Sequence, residues 1–137
     1  MQLNIHSFAT VADAIVWANT TIDQTAGAAR ARYITVASGQ DATYVAKYQD
    51  ATAFTAANFL PADATGFPWV KQEATATNTS PQATATTIVT SGNNWNNVIG
   101  PKIEGLRVGG KAAIASLTDI QLVIGSAYAT TTLLNAV

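Results

Sequence analysis

No cysteine occurs in the 137 residues, so disulfides, thiolate metal centres and cysteine nucleophiles are excluded and the redox compartment is left open. Histidine occurs once, as His6. It stands near a chain end expected to fray, whereas an imidazole that activates a nucleophile must be held in place by a third group. No Ser-His-Asp or Cys-His unit is therefore predicted. Charge is scarce as well: charged residues make up 11% of the chain, with a formal net charge of −1, against about a quarter in an ordinary globular domain. Alanine and threonine stand where lysine and glutamate usually do, so the exposed faces are expected to be small, neutral and easily covered by another protein. Little net charge keeps copies of such a chain apart, which favours part of an assembly over a solitary enzyme.

Long apolar runs are missing too. Residues 120–137 carry no charged side chain but include Gln121, Ser126, Asn135 and a run of Thr, and a membrane span needs about 20 predominantly apolar residues. A buried or partner-covered helix is expected there, with no membrane contact. The first six residues lack the basic-then-apolar pattern of a secretory signal, which predicts synthesis in the cytoplasm.

What is present is helical periodicity. Hydrophobic residues make up 48% of the sequence, and one domain over 1–137 is the default at this length. Phe8, Val11, Ala12, Ile15 and Ile22 share a helical face, predicting a helix over about 10–31 with Thr10 as its cap and Asp13 three residues on. This first helix could pack or dock as a segment of its own. The β-branched run Tyr33-Ile34-Thr35-Val36 allows a short extended connection. A second helix is expected to start near Ser38 and carry Tyr44, Val45, Tyr48, Ala51 and Phe54 inward, ending before Leu60-Pro61. A loop over 61–68 follows, then a short helix opened by Phe67-Pro68.

Ser80-Pro81 spells an N-cap and a first helical residue. The line Ile88, Trp95, Ile99, Ile103, Leu106, Gly110 and Ala113 predicts a long helix over about 81–117 with Trp95 in its core register. Gly100-Pro101 inside it predicts a kink. Thr118-Asp119-Ile120-Gln121 reads as a capping box for a final helix, with Ile120, Val123, Ile124, Ala127, Tyr128, Thr131 and Leu134 on one side. Alternation of the strand type, fixed-period repeats and low-complexity linkers are absent. The fold class expected is all-α, a helical bundle or an elongated stack of helical hairpins.

Site chemistry is thin. No pair of His or carboxylate residues has the spacing of helical metal ligands, and Asp13, Asp23, Asp41, Asp50, Asp63, Glu73, Glu104 and Asp119 are scattered, each with a plainer role as a cap or solvated charge. Gly105 and Gly109-Gly110 match no phosphate loop. Lys102, Arg107 and Lys111, with Glu104 close by, read as a balanced helix face and not a nucleic-acid stripe. Catalytic residues, cofactors, metals, nucleic acid and membrane are thus all absent from the reading. The residues expected to meet a partner are Trp17, Phe67 and Trp69, because aromatic anchors dominate protein interfaces. Gly110 and Ala113 join them, because small residues let another backbone come close.

In order along the chain, Arg32-Tyr33-Ile34-Thr35, Gln40, Tyr44, Lys47, Ala51, Phe54, Pro61, Phe67-Pro68, Glu73-Ala74, Thr77, Trp95, Ile103-Glu104, Arg107 and Lys111 resemble a group of small helical proteins encoded in the tail modules of phages and prophages. The resemblance covers a little over half of the chain. It implies a non-enzymatic part of a bacteriophage tail or tail fibre, located in the virion and associated with itself or with other tail proteins as a homo- or hetero-oligomer. The alternative it leaves open is a tail-fibre assembly chaperone that is not retained in the virion.

Overall fold

The computed structural model describes residues 7–34 and 40–137, and their regular secondary structure is entirely helical. His6 and the connection from Thr35 through the expected helix start at Ser38 lie outside them. The helices are α1 (Val11–Ala31), α2 (Gln40–Ala56), α3 (Pro68–Thr77), α4 (Pro81–Asn94), α5 (Gly100–Ala115) and α6 (Ile120–Asn135). A π-helical turn, Trp95–Ile99, links α4 to α5, so the three run on as one joined helix of 35 residues.

Helix starts follow local chemistry. Thr10 Oγ1 accepts from the Asp13 amide at 3.1 Å and Ser80 Oγ from the Ala83 amide at 3.1 Å, each satisfying a donor that the first turn leaves unpaired. At α6 the expected box is displaced by one residue: Asp119 is the N-cap, its carboxylate accepting from the Leu122 amide at 3.1 Å. A carboxylate at this position accepts that amide and also favours the positive end of the helix dipole, which a Thr118 hydroxyl would not.

The helices group into two compact units. One unit consists of α1, α5 and α6, and the other of α2, α3 and α4. In the first, the core is aliphatic and small: Ala14, Ala18, Ile22, Ala26 and Ala29 of α1 meet Ile103 and Ile114 of α5 and Val123, Ile124, Ala127 and Leu134 of α6. The buried line of α1 is therefore centred on alanine. Phe8, Val11 and Ile15 flank it half-buried, and Ala12 is exposed. Arg32 closes the far end, its guanidinium donating to the carbonyls of Leu134 at 2.9 Å and Val137 at 3.1 Å, where a cation complements the C-terminal end of α6.

The second unit is built on aromatics. Ala51, Phe54, Ala64, Val70 and Ala85 form its buried cluster, with Phe59, Phe67, Ile88 and Val89 packed on it. The long helix thus serves two cores, which corrects the single buried line expected along it. Ile88 faces the aromatic cluster, Ile103 and Ile114 are buried in the other unit, and between them Trp95 is only half-buried, with no residue of the π turn buried. A π turn uses an i→i+5 pattern, so the phase of the apolar repeat does not carry across it. The irregularity sits directly before Gly100-Pro101, where proline removes a donor and crowds the preceding turn.

Candidate protein interface

Two surfaces stand out, one in each unit. In the aromatic unit, the connection from Ala57 to Phe67 is tightly determined. Asn58, Phe59 and Ala64 take positive φ values of 55°, 57° and 59°, a left-handed conformation that costs a residue with a Cβ roughly 1 kcal/mol or more. The surroundings hold them there. The Phe59 amide donates to the Phe54 carbonyl at 3.0 Å, the Ala64 amide to the Pro61 carbonyl at 2.9 Å and the Phe67 amide to the Ala64 carbonyl at 2.9 Å. The Phe59 and Phe67 rings lie 5.6 and 5.0 Å from that of Phe54, and the Ala64 methyl is fully buried.

Beyond this frame, α3 is capped from a different helix. Phe67 offers no capping side chain, and Asp50 of α2 accepts from the Val70 amide at 2.9 Å instead. Its neighbour Trp69 is thereby fixed while remaining 44% exposed, and Leu60, at the tip of the loop, is 64% exposed. Asp63 folds the loop locally, accepting from the Thr65 amide at 3.0 Å, which holds its carboxyl below the usual range. Leu60 and Trp69 are therefore presented on backbone whose ordering cost is met by folding and not by binding.

In the aliphatic unit, α1 and α5 are joined by an ion-pair network. Arg107 donates to both Glu104 oxygens at 2.8 and 3.0 Å and to Asp23 at 3.0 Å; Lys111 reaches both Asp23 oxygens at 2.9 and 3.1 Å; Arg30 donates to Glu104 at 2.9 Å. Arg30, Arg107, Asp23 and Glu104 line an open groove of about 350 Å³ together with Ala26 and Gly27. The Lys111 ammonium, with Arg107, holds the Asp23 carboxyl below its ordinary range, and Arg107 does the same for Glu104, while the two carboxylates raise the Arg107 guanidinium. Carboxylates so held stay ionised at neutral pH and make poor general acids and weak bases. Among the described residues no three His, Cys, Asp or Glu gather as metal ligands, and no helix is long and apolar enough to cross a membrane.

The residues expected at a partner surface fall in different settings. Trp17 is half-buried, its ring 5.5 Å from Phe8 and 5.8 Å from Tyr128, and so ties α1 to α6. Phe67 packs on the aromatic cluster and Trp69 is exposed beside it. Gly110 meets another helix within the chain: a Cβ built on it would lie 2.5 Å from Thr130 Cγ2 of α6. Ala113 is exposed one turn away. The structure brings Phe67 together with Trp69 in the aromatic unit, and Gly110 with Ala113 in the aliphatic one. Sequence reading missed Leu60, whose exposure depends on a non-helical loop, and the Asp23–Arg107–Glu104–Arg30 network, whose members are up to 84 residues apart. In comparisons with models of protein families, with curated proteins and with solved structures, nothing matches the chain.

Proposed function

We propose that this chain is a non-enzymatic structural protein that acts through protein–protein contacts, as a component of a bacteriophage tail or tail fibre. The observation that carries the contact part is the rigid loop of the aromatic unit, which holds Leu60 and Trp69 out of an otherwise closed core. An exposed Trp on preorganised backbone is the kind of group that binding hot spots are made of, and Leu60 adds apolar area to bury. The phage setting rests on the sequence resemblance. The scarcity of charge supports an assembled state, because neutral faces cost little to desolvate.

Mass spectrometry of purified particles tests this: the chain is expected in them in a fixed ratio to the other tail proteins. Trp69→Ala and Leu60→Ser, which remove exposed groups, should leave the helical circular dichroism intact and lower incorporation. Absence of the unaltered chain from particles overturns the virion role, and absence combined with a raised yield of soluble fibre protein identifies the assembly chaperone.

A further inference from the structure

The two seams that α5 makes in the aliphatic unit are chemically opposite. Toward α1 it sends Glu104, Arg107 and Lys111. Toward α6 it sends Gly110, against Thr130. At 100° per residue, Leu106, Gly109 and Ala113 lie on the far side of Gly110 from the charged residues, and so on the outer lip of the α5/α6 seam. On α6 the same reasoning places Leu122, Ala129 and Leu133 on the far side of Thr130 from Tyr128, which faces Trp17 of α1. Both lips thus open on one surface. Leu122 and Leu133 are 59% and 55% exposed, and Gly109, Ala113 and Ala129 are also exposed. No charged side chain occurs anywhere in α6, and Lys102, one turn before Leu106, stands at the rim.

We propose that this uncharged α5/α6 face binds a second copy of the chain about a two-fold axis; the inference rests on the protein-contact reading above and names one partner and one surface for it. Three observations select a second copy. First, a two-fold interface sets a surface against itself and brings like charges together near the axis, so a face without charge self-pairs at no electrostatic cost. Here every member of the unit's ion-pair network lies on the other seam. Second, the pattern on α6 is self-complementary. In an antiparallel pair of α6 helices Leu122 of one copy lies opposite Leu133 of the other, and Ser126 opposite Ala129, so large groups close the two ends and small ones occupy the crossing. Third, the area reaches the lower bound for a specific interface. A 16-residue helix is about 24 Å long and two helices side by side span about 20 Å, a projected footprint of about 500 Å² on each partner, which meets the roughly 1,000 Å² in total that a specific interface should clear.

Sedimentation equilibrium of the full chain tests the proposal. At on the order of 100 μM the unaltered chain is expected to be dimeric. Leu122→Glu and Leu133→Glu should each weaken dimerisation at least tenfold while leaving helical circular dichroism and the thermal midpoint of dilute samples in place, because both side chains are already exposed. Val16→Glu on α1, at a residue 67% exposed but outside this seam, should leave the dimer intact. A monomer throughout the concentration range overturns the proposal, as does a dimer that survives both α6 variants. A dimer broken by Trp69→Ala instead places self-association on the loop and overturns it equally. None of these three results touches incorporation into particles, which alone decides the broader reading.

Discussion

The two units solve the same problem, three helices around a core, with different large side chains. The aliphatic unit has helices of 21, 16 and 16 residues and fills its centre with alanine, isoleucine, valine and a single leucine. The aromatic unit has helices of 17, 10 and 14 residues and uses three phenylalanines. Alanine and glycine let helices approach closely, so long helices can accumulate many weak contacts along their length. Short helices cannot, and need a large apolar payload at few positions. The second solution concentrates stability in a few groups and leaves the loop that carries them strained.

The sharpest way to break this comparison is Phe54→Ala. The side chain is fully buried beneath the Phe59 and Phe67 rings, and such a truncation costs about 3–5 kcal/mol, a large part of the roughly 5–15 kcal/mol that holds a domain folded. Native-state hydrogen exchange should show α2, α3 and the first half of the long helix losing protection before α1 and α6. Equal loss in both units would mean that the two cores unfold as one, and the distinction between them would be structural only.

A smaller effect sharpens the close-packing half. Gly110→Ala should destabilise, because its Cβ would lie 2.5 and 2.6 Å from Thr130 Cγ2 and Oγ1, and overpacking typically costs about 1–3 kcal/mol. Adding Thr130→Ala removes the two nearest atoms, leaving its Cβ at 3.1 Å, and should restore most of the loss. Gly105→Ala, on the same helix with nothing within 4 Å of the new methyl, should instead stabilise by up to about 1 kcal/mol through helix propensity. Urea denaturation of the three variants reads all of this, and the same sign for Gly105→Ala and Gly110→Ala would refute the close approach.

The residues at issue also show what was legible in the chain beforehand. Caps were, because a cap is a bond between neighbours: Thr10 and Ser80-Pro81 act as their spelling predicts, and α6 starts one residue late only because Asp119 outcompetes Thr118. Helix extents and the all-α class were legible from periodicity. Faces were less so. The run from Ile88 to Ala113 was read as one buried line because nothing in the spelling of Trp95-Asn96-Asn97-Val98-Ile99 announces a π turn, and across that turn the phase is lost. Trp95 consequently sits half-buried where a core residue was expected. Of the candidate site, Phe67 and Trp69 were legible as aromatics beside prolines. Leu60, Leu122 and Leu133 were not, because an exposed leucine looks the same in a sequence as a buried one.

The smallest expected effect concerns the ion pairs of the aliphatic unit. Asp23 accepts from Lys111 and Arg107 and is the only carboxylate among the described residues that joins those two cations across the α1/α5 seam. Because its side chain is 45% exposed, water screens these pairs, and Asp23→Asn should cost only about 0.2–1 kcal/mol at pH 7. The sign of its pH dependence follows from the depressed carboxyl. A group whose folded pKa lies below its unfolded value contributes stability above the unfolded value, roughly pH 4, and loses that contribution as pH falls through the folded value. The gap between the unaltered chain and Asp23→Asn should therefore be full at pH 6–7 and narrow as pH falls below about 4, and it should also narrow in 1 M salt, where the screening length is about 3 Å. Hydrogen exchange should localise the change to α1 and α5, leaving α2 and α3 as they were. A gap that persists unchanged well below pH 4 would show that Asp23 acts through packing, and the α1/α5 seam would then be held by contact and not by its ion pairs.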